Sequence, residues 1–138
     1  MNYFRCIGGA GIPAYNPVAL YDVQSNLIPN VRITPSWQSG GSAGQEVSDN
    51  TYTATDYIPV TAGETIYWVK AWNGQDACGY DSNKNGIYDN NADPCIARHY
   101  RDRGMYSSFV VPAGMAYIRF SAPNAYMTDP MFNFYRFE

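Results

Sequence analysis

Short runs with a period of two, cut by Pro/Gly turn residues, leave this chain little choice but antiparallel β-structure. Thr65-Ile66-Tyr67-Trp68-Val69-Lys70-Ala71-Trp72 sets Ile66, Trp68, Lys70 and Trp72 on one face and Thr65, Tyr67, Val69 and Ala71 on the other. Met115 to Ser121 sets Ala116, Ile118 and Phe120 against Tyr117 and Arg119. Met131 to Phe137 sets Phe132, Phe134 and Arg136 against Met131, Asn133, Tyr135 and Phe137. Successive side chains of a strand project to opposite faces, so this period predicts strands. Val31–Thr34, Thr51–Val60, Ile96–Arg101 and Ser107–Val111 add further strand-like runs, with Pro59 marking an edge or a strand end. Thr61-Ala62-Gly63-Glu64, Asp102-Arg103-Gly104 and Pro112-Ala113-Gly114 turn the chain between them. About seven or eight short strands at this spacing predict an all-β fold, a β-sandwich of the jelly-roll kind.

A length of 138 residues suits one domain with its own core. The 13 Tyr, 12 Gly and 9 Pro fit strands joined by tight turns. The net charge of -3, without clustered Lys and Arg, argues against nucleic acid as a partner. No apolar run approaches the roughly 18 residues that span a membrane. The start, Met1-Asn2-Tyr3-Phe4-Arg5-Cys6, lacks a basic segment followed by an apolar core, so no cleavable signal is expected. Residues 1–28 read as an N-terminal arm or docking segment. Gly8-Gly9-Ala10-Gly11-Ile12-Pro13 is flexible, yet Phe4, Ile7, Ile12, Val18, Leu20 and Tyr21 are too apolar for a purely solvated tail. The β-sandwich domain is then 29–138, with a loop insertion over 73–95.

That insertion carries the most specific chemistry. From Cys78 to Cys95 it presents Asp81, Asn83, Asn85, Asp89 and Asp93, with Gly86 among them. Calcium takes six to eight oxygens. With Asp81 as the first position of a calcium loop, Asn83 and Asn85 fall third and fifth, and Gly86 sits at the sharp sixth position. Ile87 offers a backbone carbonyl at the seventh, and Asp89 follows at the ninth. The twelfth position is Ala92, so an EF-hand is excluded, and either Asp89 or Asp93 closes the site. The plainer alternative is a hydrophilic hairpin turned by Asn85-Gly86. Cys78 and Cys95 flank the loop; a disulfide between them would close about 18 residues and contribute about 3 kcal/mol. Two buried thiols are the alternative. Zinc is not expected, since there is no Cys-x-x-Cys and only one histidine, His99. Cys6 is left as the odd thiol.

Two resemblances follow from these residues. Asp56-Tyr57-Ile58-Pro59-Val60-Thr61-Ala62-Gly63-Glu64-Thr65-Ile66-Tyr67 resembles the opening of small jelly-roll modules in phage fibres, tailspikes and baseplate proteins. The likeness continues at Ile96–Arg103, is strongest over Phe109–Ser121 and ends at Met131-Phe132-Asn133, covering about residues 49–135. Those modules are similar to carbohydrate-binding modules. The matching residues are mainly fold-determining and do not name a ligand. The insertion departs from that pattern, and its run through Gly86 and Asp89 resembles the calcium loops of thrombospondin type 3 and dockerin-like repeats.

The resemblance implies a non-enzymatic virion structural protein, a decoration, fibre or tail component. It would be made in the host cytoplasm and exposed outside the cell. Its partners would be other virion subunits, a homo-oligomeric copy, and cell-surface polysaccharide. Aromatic faces stack on sugar rings, and Trp37, Trp72, Tyr80 and Tyr88, beside polar loops, are the candidate glycan-binding residues. Arg98, Arg101, Arg103 and Arg119 could form a basic patch for acidic sugars, or simply a solvated sheet face. A purely structural, capsid-stabilising subunit is the alternative. A glycan hydrolase is disfavoured: the acids Glu46, Asp49, Asp56, Glu64 and Asp102 form no recognisable pair, and no nucleophile elbow accompanies His99.

Overall fold

The computed structural model describes residues 17–35, 42–69, 76–88, 106–129 and 133–137. Over these the chain forms nine strands and one short helix. The strands are β1 (Pro17–Tyr21), β2 (Leu27–Ile33), β3 (Glu46–Thr55), β4 (Ile58–Pro59), β5 (Thr65–Val69), β6 (Asp76–Tyr80), β7 (Tyr106–Val110), β8 (Tyr117–Pro123) and β9 (Phe134–Phe137). A single helical turn, α1 (Asn124–Met127), follows β8.

The strands make two antiparallel sheets. One runs β1-β9-β5-β7; the other runs β2-β3-β8-β4, with β6 on β8 as well. The expected all-β class therefore holds, in a sandwich-like arrangement. Ile66, Phe109 and Phe134 of the first sheet share one buried cluster with Ile58, Ala77, Ile118, Phe120 and Ala122 of the second. Phe120 and Phe134 meet across it, with ring centroids 4.5 Å apart. Val23, Val111, Met115 and Met127 complete that cluster, and Gln24 Nε2 donates to the Met127 carbonyl at 3.1 Å, tying the β1–β2 turn to α1.

β8 is the central strand of its sheet. On one edge it pairs with β6 from Asp76↔Ser121 to Tyr80↔Tyr117. On the other it pairs with β3 at Ala54↔Ser121 and then with β4 at Ile58↔Ile118, so the register slips by one residue between them. Thr55, fully buried, fills the gap: its Oγ1 accepts the Phe120 N–H at 3.0 Å and its carbonyl accepts Arg119 Nε at 3.0 Å. Two side-chain bonds thus replace the ladder bonds lost at the break, which keeps the buried backbone satisfied.

Where strands were expected, most of them form. Thr51–Val60 is instead two strands, β3 and β4, because of this slip. The terminal strand begins at Phe134. Ile96–Arg101, with His99, lies outside the described residues. The boundary drawn at residue 28 falls inside β2, and Pro17–Tyr21 of the expected arm is β1, paired with β9. The insertion expected over 73–95 opens as β6, five residues buried throughout. Its Asp76 and Gly79 hide it from a hydropathy reading. Asp76 is stabilised by Arg32, whose Nε donates to Oδ2 at 2.6 Å. Burial still pushes the Asp76 carboxyl above its ordinary range, outweighing that partner. Gly79 leaves room for the Met115 side chain, which a Cβ would strike.

Removing the Phe134 ring should cost about 3–5 kcal/mol, because the cavity opens between the sheets. Val110→Ala, at a position 56% exposed on β7, should stay within about 0.5 kcal/mol. Urea unfolding of both variants checks this; equal losses would mean that Phe134 is not part of a shared core.

Candidate functional site

The outer face of the β8 sheet, away from the shared core, carries a second buried cluster of Ile33, Ala43, Ala54, Cys78 and Tyr80. Val31, Tyr57 and Tyr117 pack on it. The register explains the grouping: Ala54, Cys78, Tyr80, Tyr117 and Arg119 fall on one face because opposed residues of paired strands project together.

The polar loop folds directly onto this face. After β6 the chain turns at Asp81–Asn85 and returns, with Gly86 bridged to Tyr80 and the Ile87 N–H donating to the Gly79 carbonyl at 2.8 Å. Asp81 organises the turn. Its Oδ1 accepts the Asn83 N–H at 2.8 Å and the Asn85 N–H at 2.9 Å, while Asn85 Nδ2 reaches Oδ2 at 3.3 Å. The backbone bond from Asn85, foremost among these contacts, holds the Asp81 carboxyl below its ordinary range. Lys84 takes a left-handed conformation, φ 64°, within this turn.

Two glycines let the layers meet. A Cβ on Gly86 would lie 2.0 Å from the Ala43 carbonyl oxygen, and one on Gly44 would lie 2.6 Å from the Tyr80 ring. The Tyr80 hydroxyl donates to the Gly44 carbonyl at 2.7 Å. Burial, the main cause, raises the Tyr80 hydroxyl pKa well above its usual value. Tyr80 is 1% exposed, so its ring presents no face for a sugar. This corrects its expected place in a glycan platform: its phenol is spent on clamping the 42–45 turn. Tyr88, at 46% exposed, keeps an open ring.

The structure brings further residues to this cluster. Tyr57 packs edge-on against Tyr80 at 4.9 Å and against Tyr117 at 5.9 Å. Lys84 Nζ stands 4.8 Å from the Tyr57 ring centre and 5.6 Å from that of Tyr117. Arg119 lies 4.5 Å from the Tyr57 ring centre. Neither Tyr57 nor Lys84 stands out in the sequence, since one sits in the strand motif and the other in the polar loop.

Among the calcium candidates, Asp81, Asn83, Asn85 and Ile87 lie together in the turn, whereas Asp89 and Asp93 lie outside the described residues. Among the described residues no group of three or more His, Cys, Asp or Glu side chains is placed to hold a metal. Cys78 is buried, its Sγ 3.1 Å from the Gly79 carbonyl and 3.9 Å from that of Ile87. Cys95, its expected partner, lies outside the described residues, as do Cys6, Trp37 and Trp72; no disulfide is present among the described ones. Nor, among these, is any helix long and apolar enough to cross a membrane. No family model, curated protein or solved structure matches the chain.

Gly86→Ala should destabilise the domain by about 1–3 kcal/mol, because the methyl meets backbone rather than a yielding side chain. Its thermal unfolding, set beside that of Val110→Ala at an exposed strand position, measures the loop's share of the packing. Asp81, with a folded pKa below the unfolded 3.8, contributes stability that is present above pH 3.8 and lost as pH falls through its folded value. Asp81→Asn should therefore flatten the acid limb of stability against pH, as read by unfolding at a series of pH values. An unchanged slope below pH 3.8 would show that the turn's hydrogen bonds do not depend on the charge.

Proposed function

We propose that this chain is a non-enzymatic jelly-roll subunit of a phage particle, attached through its exposed aromatic and cationic surface to host-cell glycan. One observation supports this reading above others. The two stretches that resemble phage fibre modules, Asp56–Tyr67 and Phe109–Ser121, pair with each other along their length. Ile58 and Pro59 face Ile118 and Tyr117, and Val60 N–H donates to the Ala116 carbonyl at 2.9 Å. Gly63 N–H meets the Val111 carbonyl at 2.8 Å, and Val111 N–H meets that of Glu64 at 2.9 Å. Thr65 to Val69 then continues opposite Val110 to Tyr106. Residues that look like one motif in sequence act as one folded unit, which is what a shared module requires.

The calcium reading belongs to the same proposal. The residue types suit a hard cation: the Asp81 carboxylate is anchored by the N–H groups of Asn83 and Asn85, whose side chains carry amide oxygens in the same turn. Asp81, Asn83, Asn85 and Ile87 would hold the ion, with Asp89 or Asp93 closing the loop. A bound ion would stiffen the loop that carries Lys84 and Tyr88. The structural alternative, a subunit that only stabilises the particle, is favoured by Val47 and Val110, 52% and 56% exposed and ready for subunit contacts.

Adsorption of the purified protein to host cells, before and after their surface polysaccharide is stripped, tests the main reading. Binding that disappears with the polysaccharide is expected; binding that survives stripping, or none at all, would favour the structural alternative. Millimolar calcium should raise the melting temperature of the wild type and leave Asp81→Ala unmoved. No shift in the wild type would remove calcium from the account.

A further inference from the structure

Arg119 is the largest fully buried side chain in the described residues, in the middle of β8. A guanidinium stays charged in any protein setting and carries five donors. Only Nε is served by the backbone, through the Thr55 carbonyl. Nη1 and Nη2 are out of solvent and make no hydrogen bond of good geometry, although the Tyr80 hydroxyl lies close enough to interact with the guanidinium. Among the described residues the carboxylate beside them is Glu46, whose Oε1 lies 2.8 Å from Nη2; opposite charges touch, but without the angles of a hydrogen bond. Glu46 is the first residue of β3 and its side chain is 53% exposed, against 0% for Arg119. The buried cation is thus balanced by a single close ion pair whose acidic partner half faces water. Such a charge is costly unless paired with good geometry.

The geometry points to a carboxylate-accepting site at Arg119, for the uronate of an acidic sugar, with Glu46 as its displaceable stand-in. The inference rests on the glycan reading and names the sugar class. On binding, the Glu46 carboxylate swings to water, and both oxygens of the uronate take the Nη1 and Nη2 donors in the fork that a guanidinium favours. Lys84 supplies a second positive charge from the polar loop. Both Lys84 and Arg119 contact the Tyr57 ring. Tyr57 and Tyr117, both half-buried, border the two cations. Neutral sugars lack the group that would displace Glu46 and are excluded. No proton moves and no bond is broken.

Trigalacturonate is the probe, titrated into isotope-labelled full chain while the Arg119 side-chain N–H signals are followed. Wild type should show those signals shifting, and galactotriose should leave them still. Glu46→Gln removes the competing charge but keeps a neutral oxygen beside Nη2, and should tighten binding by about fivefold to tenfold. Lys84→Ala should weaken it by a similar factor. Glu46→Gln removes the counter-ion of a buried charge, so its fold is checked first by circular dichroism; Lys84→Ala changes an exposed side chain away from that pair and keeps the test independent of it. Unchanged or weaker binding in Glu46→Gln, or shifts confined to Arg32, would overturn the site. A pentaglutamate peptide that binds as well, with the same response to Glu46→Gln, would overturn the sugar assignment. Host adsorption lost on stripping polysaccharide, with trigalacturonate inert, would remove this site and leave the glycan reading standing. Trigalacturonate binding without any host adsorption would do the reverse.

Discussion

β8 is buried on both faces, and the rest of the domain is built to make that tolerable. Its Ile118, Phe120 and Ala122 enter the core shared with the other sheet, while Tyr117, Arg119 and Ser121 enter a second, polar-lined layer. A strand in that position can leave no backbone donor or acceptor idle. Hence β6 covers one edge, β3 and β4 share the other, and Thr55 closes the break between them with its hydroxyl and carbonyl. Ser121 serves a third strand, its Oγ accepting the Ile33 N–H at 2.9 Å. The β3–β4 slip costs ladder bonds, and buried side chains restore them.

The polar loop is tied to this same strand system. Tyr80 ends β6, and its hydroxyl holds the Ala43-Gly44 turn, while Gly86 admits that turn's carbonyl against the returning chain. Loop and turn together roof the outer face of the sheet. They also decide which charges meet there: Lys84 comes from the loop, Arg119 from the strand beneath, and Glu46 from the strand that follows the turn. The Asp81 carboxylate, meanwhile, is occupied with backbone N–H groups. Any cation held there would join a turn that already has its shape, so its effect would be on stiffness more than on fold.

Much of the strand content was legible because period-two alternation survives in Thr65–Val69 and Tyr117–Ser121 and because Gly63 and Gly114, both at positive φ, punctuate them. β6 was not legible. Asp-Ala-Cys-Gly-Tyr has neither alternation nor apolar weight, and its burial depends on Arg32, 44 residues earlier, meeting Asp76. Tyr80 looked like a ligand platform because aromatics near polar loops often are; only the approach of Gly44 consumes it. Arg119 was correctly set opposite Ile118 and Phe120, but a strand alternation assigns a face and not its covering.

The sequence by itself determined the all-β class, the turns at Gly63 and Gly114, the faces of β8, and the oxygen-rich turn at Asp81, since each depends on neighbours within a few residues. Only the tertiary structure decided that residues 76–80 are core, that Thr55 mends a broken edge, and that a buried guanidinium, a loop lysine and a half-exposed glutamate share one site. Those outcomes depend on partners brought together from distant segments. Burial of a charge is a property of what lies above it, which no local pattern records.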